Sequence, residues 1–393
     1  MERSDTIINH MVSHDLHWML NAGIFILAAL LSTCMATVLV NVSNRFDLLD
    51  YPTERKAHAS PTPFLGGAAV FMSFWTVVLV GVVIAWFSHE SSGVYTPYQP
   101  ILSGVYFLIP KIGGLFFGGA LIWLIGILDD KFQWSPIKKL LGQTAAALIL
   151  MSLGLGIQLF SNAEALNYAV TFIWIMLILN AFNFIDSLDG HCVGIALISS
   201  ICFFAITQII HQSLVGFFLI AFAGSLAGFF PHNFKPAKMF LGDNGSLFIG
   251  YLMAAFTLLC NYQIGMDGNY TTTFIPILIF GVPIYDTLSV ILVRLIRGVP
   301  PWTGDRNHFA HRLVKIGMSD KVAVIFSYFI QATTGLVAVL MTQVTMLGAI
   351  LIGFVFVLII GVVAFLEFYT AGKIRALEKL MDKKKRSQER SAS

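Results

Sequence analysis

Long uncharged apolar runs recur along most of this chain, and they constrain its fold more than any other feature. The sequence has 393 residues, of which 57% are hydrophobic and 11% charged. A run of about 18 or more apolar residues crosses a bilayer as a helix, because lipid offers the backbone polar groups no other partner. The sequence therefore predicts an all-α integral membrane protein, a polytopic bundle of about 11 transmembrane helices (about 10–11). The predicted spans are about 19–40, 65–87, 112–128, 140–160, 168–182, 191–211, 213–230, 247–263, 273–293, 322–342 and 347–368.

Basic residues lie almost entirely on one side of this predicted bundle. With the N-terminus outside, 22 of the 24 Lys and Arg residues fall on one face, and only Arg3 and Lys111 fall on the other. Basic loops remain in the cytoplasm during membrane insertion. We therefore expect the N-terminus outside and the C-terminus in the cytoplasm. The chain then divides into an extracytoplasmic segment (1–18), a polytopic membrane domain (19–368) and a basic cytoplasmic tail (369–393).

The acidic residues follow the same asymmetry. On this topology, 15 of the 21 Asp and Glu residues lie on the cytoplasmic face or at its membrane boundary. A transporter typically places ionisable residues near the bilayer midplane, on broken helices, whereas these residues lie in loops that join helix ends. The pattern favours a cytoplasmic active site acting on a substrate lodged in the membrane. A transporter or flippase of a lipid-linked or nucleotide-linked sugar is the alternative from another class.

Two of these loops combine carboxylates with other polar groups. In the sequence GILDDKFQWSPIKKLLGQ, Asp129 and Asp130 end a helix and precede several lysines. Adjacent helical side chains point about 100° apart, so one carboxylate is expected to face a metal or phosphate while the other orients a lysine. In NFIDSLDG, Asn183, Asp186 and Asp189 recur at intervals of three, which suits a divalent cation or a nucleobase. Capping of the next helix is the alternative role for the two carboxylates.

Three further loops add an anion site and cations. Asp243, in KMFLGDNGSLFIGY, lies between glycines at a predicted helix start, where backbone N–H groups favour an anion. The other two loops carry groups suited to phosphates, namely Lys56 in the first and Arg306, His308 and His311 in the last. Carboxylates and cations around one face are typical of Mg²⁺-dependent phosphate chemistry.

Taken in order, the motifs DYPTERKAH, PTPFLGG, DD, NFIDSLDG, FLGDNGS and DRNHFAH resemble those of the polyprenyl-phosphate N-acetylhexosamine-1-phosphate transferases. The match is to the bacterial WecA/TagO-like branch, related to MraY, over roughly residues 20–340. The resemblance implies an enzyme that transfers a sugar 1-phosphate from a UDP-sugar to undecaprenyl or another polyprenyl phosphate. The products would be UMP and the polyprenyl-diphosphate sugar, the first membrane intermediate of a cell-envelope glycan.

The resemblance also implies the setting of the reaction. The cofactor would be Mg²⁺, with Mn²⁺ as a substitute, and the protein would be a multi-pass protein of the bacterial cytoplasmic (inner) membrane with a cytoplasmic active site. Its partners would be the UDP-sugar, polyprenyl phosphate and membrane lipid, and no nucleic acid is expected. A homodimer is compatible with the resemblance. UDP-GlcNAc is the expected donor, while UDP-GalNAc, a 6-deoxy amino sugar and the glycan pathway stay open.

Individual residues inherit roles from this resemblance. Asp243 resembles the principal Mg²⁺ ligand, and Asn183 resembles a second contributor. Phe240 matches the aromatic residue that stacks on uracil, and Asp189 matches the uridine-contacting member of its motif. The remaining assignments are substrate binding for Lys56, Lys139 and Arg306, and catalysis for Asp129, Asp130, Asp186, His308 and His311. Direct attack of the lipid phosphate is preferred over a phospho-enzyme, because bringing two bound phosphates together already supplies much of the catalysis.

Three positions depart from the family pattern or stand apart from it. Ala310 occupies the place where this branch often has a middle histidine, which shifts weight to the neighbouring His308, His311 and Arg306. The peptidoglycan branch, which uses UDP-MurNAc-pentapeptide, characteristically has consecutive histidines here and is the alternative within the enzyme class. His191 stands where an apolar residue is usual and is interpreted as an interfacial residue. Asp286 lies roughly 12 Å of helix inward from Arg294, either as a cleft wall or hydrogen-bonded to a neighbouring helix.

Overall fold

The computed structural model describes residues 2–52, 60–90, 99–160, 162–262, 274–300 and 307–366, and these ranges are mostly helical. Two short strands, β1 (Leu49–Asp50) and β2 (Thr62–Pro63), form an antiparallel pair in which Leu49 faces Pro63. The helices are α1 (Glu2–Arg45), α2 (Gly66–Glu90), α3 (Gln99–Phe132), α4 (Pro136–Ser152), α5 (Glu164–Ile185), α6 (His191–Ile209), α7 (Ser213–Asn233), α8 (Gly242–Leu259), α9 (Ile275–Ile279), α10 (Gly281–Ile296), α11 (Phe309–Lys315), α12 (Asp320–Met341) and α13 (Met346–Leu366).

Eight of these helices are long and apolar enough to cross a membrane, so the chain is a polytopic membrane protein. They are α1, α2, α3, α5, α6, α7, α12 and α13. The other three predicted spans fall on shorter or interrupted helices. Helix α4 has 17 residues, α8 begins with a polar turn, and the span predicted at 273–293 is divided into α9 and α10. The count of eleven spans and their orientation stay predictions.

The break between α9 and α10 is stabilised by a buried glutamine on α12. Gln331 accepts a hydrogen bond from the backbone N–H of Val282 and donates to the carbonyl oxygen of Ile279. It also donates to Ser199 on α6. A helix break inside a bundle leaves backbone groups without intrahelical partners, and a buried side-chain amide supplies both a donor and an acceptor. The interruption is therefore supported by α12, which sequence periodicity does not reveal.

Helix α8 lies at the centre of the bundle, since every residue from Asn244 to Thr257 is buried. Its close contact with α5 depends on Gly250, where an added Cβ would stand 2.8 Å from the Cα of Leu179. A similar approach joins α7 to α1, where a Cβ at Gly228 would stand 2.1 Å from the carbonyl oxygen of Ala29. Small residues let membrane helices pack with their backbones close together. The N-terminus of α8 is thereby held among the ends of α2, α3 and α5.

Three of the four cysteines pack inside the helix bundle. All four are free thiols, and Cys192, Cys202 and Cys260 are buried in the helix bundle, while Cys34 is exposed on α1. Exposed apolar side chains cover much of α13, of which only 6% is buried, so this helix lies at the periphery of the bundle.

Candidate active site

The N-terminus of α8 is capped by a carboxylate from the end of α3. Asp130 accepts hydrogen bonds from the backbone N–H of Asp243 at 2.9 Å and of Asn244 at 3.1 Å, and from the Asn244 amide at 2.8 Å. The first N–H groups of a helix lack intrahelical acceptors, and a negative charge there also suits the helix dipole. This geometry gives Asp130 a positioning role, whereas the sequence placed it among the catalytic residues. The catalytic assignment stays a prediction.

The end of the first loop binds the segment that precedes α8. The N–H groups of Gly66 and Gly67 donate to the carbonyl oxygens of Phe240 and Leu241, at 3.0 and 2.9 Å. In return, the N–H of Phe240 donates to the carbonyl of Pro63 at 2.8 Å. The motifs PTPFLGG and FLGDNGS therefore form one interlocked backbone unit. Its glycines are needed sterically, because a Cβ at Gly67 would stand 2.2 Å from the side-chain oxygen of Asn244.

A lysine from α4 bridges two of the predicted site carboxylates. The ammonium group of Lys139 lies 2.6 Å from Asp129 Oδ2 and also donates to Asp243 Oδ2. The other oxygen of Asp129 accepts from the backbone N–H of Trp134 at 2.8 Å. These side chains keep limited solvent access, at 10% for Asp129, 21% for Lys139 and 28% for Asp243. The trio therefore lines a partly open surface at the helix ends.

The charges of this trio determine the ionisation of its members. Burial alone would raise the pKa of Asp243, but hydrogen bonding with Asp129 and the nearby Lys139 charge lower it to about 2. Burial would lower the pKa of Lys139, but the charges and hydrogen bonds of Asp243 and Asp129 raise it above its ordinary value. Asp243 is therefore an anion and Lys139 a cation at neutral pH.

Asn183, near the end of α5, completes the environment of Asp243. Its amide nitrogen donates to Asp243 Oδ1 at 2.8 Å and to Ser246 Oγ at 2.9 Å. Ser246 is fully buried one turn into α8. Its position three residues after Asp243 in the motif FLGDNGS is the sequence signal for this contact. The structure thus brings together side chains from α3, α4, α5 and α8.

The spacing of three residues predicts that Asn183, Asp186 and Asp189 share one helical face. The structure shows a different arrangement. Helix α5 ends at Ile185, so Asp186 is its C-terminal cap and Asp189 lies in the turn before α6. Burial, followed by the charges of Asp243, Asp130 and Asp189, raises the pKa of Asp186 well above its ordinary value. A carboxyl that shares a site with other anions resists ionisation.

The Asp189 turn contacts the loop that leads to Phe240. Asp189 Oδ2 accepts from the backbone N–H of Ala237 at 3.2 Å. Asn233 holds the same two loops together, because it accepts from the N–H of Gly190 and donates to the carbonyl of Met239. Phe240 itself is half-buried. The two residues assigned to uridine by resemblance therefore lie on adjoining loops.

A second polar cluster joins α10 to α11. His308 is the N-terminal cap residue of α11 and is 7% exposed, and its Nδ1 lies 2.8 Å from Asp286 Oδ2. Of the two roles considered for Asp286, the structure shows the hydrogen bond to a neighbouring helix. His311 is half-buried within α11. The His308 ring packs 5.7 Å from the ring of Phe184, centroid to centroid.

With this geometry in place, comparison with known proteins identifies the family. The model of glycosyl transferase family 4 matches residues 112–261. A protein of Bacillus subtilis (strain 168), named a probable undecaprenyl-phosphate N-acetylglucosaminyl 1-phosphate transferase, is 31% identical over 352 residues, which cover 86% of this chain and 90% of that protein. The chain belongs to the polyprenyl-phosphate N-acetylhexosamine-1-phosphate transferase family. The similarity extends across most of the helix bundle.

Two further relatives of this transferase family have names that differ in the sugar transferred. A decaprenyl-phosphate N-acetylglucosaminephosphotransferase of Mycobacterium leprae (strain TN) is 31% identical over 77% of this chain and 79% of its own length. A phospho-N-acetylmuramoyl-pentapeptide-transferase of Limosilactobacillus fermentum (strain NBRC 3956 / LMG 18251) is 30% identical over 59% of this chain and 67% of its own length. The acetylglucosamine relatives thus match a longer part of the chain.

Two positions that depart from the family pattern are buried in the structure. His191 is 1% exposed at the start of α6 and its Nδ1 lies 2.9 Å from the carbonyl oxygen of Ile185, which ends α5. It is therefore an interior contact between two helix ends, and its interpretation as an interfacial residue of the membrane stays a prediction. Ala310 is fully buried in α11. Two predicted substrate-binding residues, Lys56 and Arg306, lie outside the described residues.

Arg294 is a buried cation near the end of α10. Its sequence position gives only a reference point for the depth of Asp286. It is 3% exposed on α10, and its guanidinium carbon lies 5.7 Å from the centre of the Phe184 ring. The same ring packs against His308, and Phe184 directly follows Asn183 in sequence. An arginine at a membrane boundary is expected in any sequence of this class, so only the three-dimensional position indicates a role.

Proposed function

We propose that the protein transfers N-acetylglucosamine 1-phosphate from UDP-N-acetylglucosamine to a polyprenyl phosphate in the bilayer and releases UMP. The observation that supports this most directly is the meeting of Lys139, Asn183 and Asp243 at the start of α8. It joins a fixed anion to a phosphate-binding cation at the end of membrane helices. Family membership and the names of the acetylglucosamine relatives favour this donor.

The reaction on this proposal is a direct displacement at phosphorus. An oxygen of the polyprenyl phosphate forms a bond to the β-phosphorus of the UDP-sugar, and the bond from that phosphorus to the bridging oxygen breaks. The bridging oxygen leaves with the electron pair as part of UMP. Phosphoryl transfer relies on positioning and charge stabilisation. Lys139, held by Asp129 and Asp243, is the cation placed to meet a phosphate, and Asp130 fixes the helix end beside it.

Magnesium fits the chemistry of this donor set. Asp129, Asp130, Asp186 and Asp243 bring four carboxyl groups to this site, and the Lys139 cation contacts two of them. Mg²⁺ prefers carboxylate and amide oxygens. Asp243, with Asn183, would hold the ion, although within the described ranges no three His, Cys, Asp or Glu side chains already surround one point. When bound, the ion would neutralise charge on the transferred phosphate.

The donor base is assigned to the adjoining loops that carry Asp189 and Phe240. Their junction through Ala237 supports a single nucleotide site rather than two separate ones. An aromatic ring can stack on uracil while a carboxylate accepts from its N–H group.

The active site is placed on the cytoplasmic side of the bacterial inner membrane. On the predicted topology, the basic loops collect 22 of the 24 Lys and Arg residues on the side of the site, which supports this orientation. A UDP-sugar made in the cytoplasm would reach such a site without crossing the membrane.

The purified protein tests this proposal directly. With undecaprenyl phosphate, UDP-GlcNAc and Mg²⁺ in detergent, we expect equal amounts of UMP and undecaprenyl-diphosphate-GlcNAc, measured by chromatography and mass spectrometry. EDTA should stop both, and added Mg²⁺ should restore them. The variant Asp243→Asn should fold yet lose nearly all turnover, because it removes an anionic ligand. UMP release that is absent, or that continues unchanged in Asp243→Asn, would contradict the assignment.

The phospho-MurNAc-pentapeptide transferase is the second candidate, supported by the Limosilactobacillus relative. The same assay with UDP-GlcNAc, UDP-GalNAc and UDP-MurNAc-pentapeptide distinguishes the donors through the mass of the lipid product. A transporter or flippase of a sugar-linked lipid or nucleotide would form no UMP under any of these conditions.

A further inference from the structure

Asp286 belongs to none of the roles proposed so far, yet it is fully buried in the second polar cluster. We propose that Asp286 is a positioning residue that fixes the orientation and the protonated nitrogen of His308, so that Nε2 keeps its lone pair and is the ring nitrogen that accepts a hydrogen bond from the bound donor. This inference rests on the proposed function for the identity of the substrate.

Both oxygens of the Asp286 carboxylate are used, and they act on consecutive residues. Asp286 Oδ2 lies 2.8 Å from His308 Nδ1, and Oδ1 accepts from the backbone N–H of Phe309, the first residue of α11. Capping of a helix end requires a single acceptor oxygen. The second oxygen is committed to the imidazole ring, so the carboxylate controls a side chain as well as a helix start.

The hydrogen bond determines which ring nitrogen carries a proton. A carboxylate only accepts, so the proton of a neutral His308 resides on Nδ1, and Nε2 is left with its lone pair. Buried histidines in active sites are commonly oriented in this way by a carboxylate on the opposite nitrogen.

The position of the ring connects this pair to the carboxylate–lysine cluster. His308 packs on Phe184, and Phe184 follows Asn183, which donates to Asp243. Arg294 lies over the same aromatic ring at 5.7 Å. His308 and Arg294 therefore contact the same aromatic ring, and that ring follows the proposed metal-binding residue Asn183 on α5.

The cost of burying Asp286 is consistent with a positioning role. A carboxylate with no solvent exposure is strongly unfavourable unless charge or hydrogen bonds compensate it. An apolar residue would pack at this depth without that cost. The hydrogen bonds of Asp286 to His308 and to the Phe309 N–H therefore account for an acidic residue at this position.

The variant Asp286→Asn tests the inference with little change in volume. Its amide oxygen can still accept from the Phe309 N–H, whereas its NH₂ group meets His308 Nδ1 as a donor. The ring must then move its proton to Nε2. We expect kcat to fall about 10–100-fold, with KM for the UDP-sugar changed less than about threefold, as for an interaction that matters mainly in the transition state.

Gln331→Leu serves as the matched control. Gln331 is another fully buried polar residue that hydrogen-bonds the start of α10, but its hydrogen-bond partners are Ser199, Ile279 and Val282 rather than His308. This variant should lower the thermal midpoint at least as much as Asp286→Asn while leaving kcat within about threefold.

A double-mutant cycle separates positioning from general stability. If Asp286 acts through His308, adding Asp286→Asn to His308→Gln should lower kcat no further. Multiplied losses, or an unchanged kcat in Asp286→Asn, would overturn the inference. Wild-type protein that releases no UMP would instead refute the proposed function, so the two failures are distinct.

A measurement on the wild-type protein keeps the inference testable if Asp286→Asn does not fold. The ¹⁵N resonances of His308, assigned by their loss in His308→Gln, report which ring nitrogen is protonated. We expect the proton of the neutral ring on Nδ1. A neutral ring protonated on Nε2 would exclude the proposed hydrogen bond to Asp286.

Discussion

At the scale of single residues, the pair Asp129 and Asp130 illustrates how neighbours with the same side chain do different work. Asp130 accepts from two backbone N–H groups and one amide of α8, whereas Asp129 meets the ammonium group of Lys139. The sequence predicted that one carboxylate orients a lysine, which Asp129 does, and that the other faces a metal or phosphate, whereas Asp130 caps the start of α8. Which of the two orients the lysine could be decided only from the position of α8, which is remote in sequence.

The two carboxylates should therefore respond differently to the same substitution. Asp130→Asn should lower the free energy of unfolding by about 1–3 kcal/mol, because backbone donors buried at the start of α8 lose a charged acceptor. Asp129→Asn should change it by less than about 1 kcal/mol, since the amide oxygen can still accept from Trp134. Turnover should nevertheless fall at least about tenfold in Asp129→Asn, because the ion pair that positions Lys139 is lost. Chemical denaturation and UMP release measure the two quantities, and equal loss of stability in both variants would contradict this division.

The proposed uracil site gives a prediction of a different kind. Phe240→Ala should raise KM for the UDP-sugar about 5–150-fold, as expected for the loss of roughly 1–3 kcal/mol of stacking. UMP inhibition should weaken in parallel, and KM for polyprenyl phosphate should change less, because binding lost equally in ground and transition states appears mainly in KM. Untouched UMP inhibition with a weakened lipid substrate would move this loop to the acceptor site.

At the scale of secondary-structure elements, the candidate site depends on how closely α3 and α2 approach the start of α8. A Cβ at Gly126 would stand 2.4 Å from the backbone nitrogen of Asn244, and one at Gly67 would stand 2.2 Å from the nitrogen of Gly245. These glycines are therefore required by contacts with distant segments. From the sequence alone, Gly126 is an ordinary glycine in an apolar run, and nothing distinguishes it from Gly113 in the same helix.

That contrast leads to a matched pair of variants in α3. Gly126→Ala should destabilise the protein by about 1–3 kcal/mol and displace the N-terminus of α8, because overpacking forces the backbone apart. Gly113→Ala has no atom within 4 Å of the added Cβ and should be neutral or mildly stabilising. Thermal unfolding in detergent and turnover, measured as UMP release, can be compared for the two glycine variants. Equal behaviour of the two variants would show that the close contact is not limiting.

At the scale of the whole molecule, the polytopic helical architecture and most helix positions followed from apolar runs, because lipid leaves few alternatives. The broken α9–α10 segment did not, since it is stabilised by Gln331 from a helix about 50 residues later. The site residues were predicted from separate motifs, and the structure brings four of them into contact, namely Asp129, Lys139, Asn183 and Asp243. The Asp286–His308 pair was not predicted, because the partners lie 22 residues apart across a helix and a loop.

Orientation in the membrane is open to a direct test. In a Cys34→Ser background, Lys138→Cys lies on the side of the site and Asn261→Cys lies at the far end of α8, and both wild-type residues are exposed. A membrane-impermeant maleimide applied to intact cells should label the Asn261 variant and spare the Lys138 variant until the membrane is opened. The reverse pattern would place the site outside the cytoplasm.

The hydrogen bond between Lys139 and Asp243 can form only late in the synthesis of the chain. Its partners are separated by 104 residues, so a ribosome adding about 5–20 residues per second delivers Asp243 roughly 5–20 s after Lys139 has emerged. During that interval, α3 lacks the buried helix that packs against Gly126 and Gly119. A nascent chain that stops before α8 would therefore leave this face of α3 without its partner.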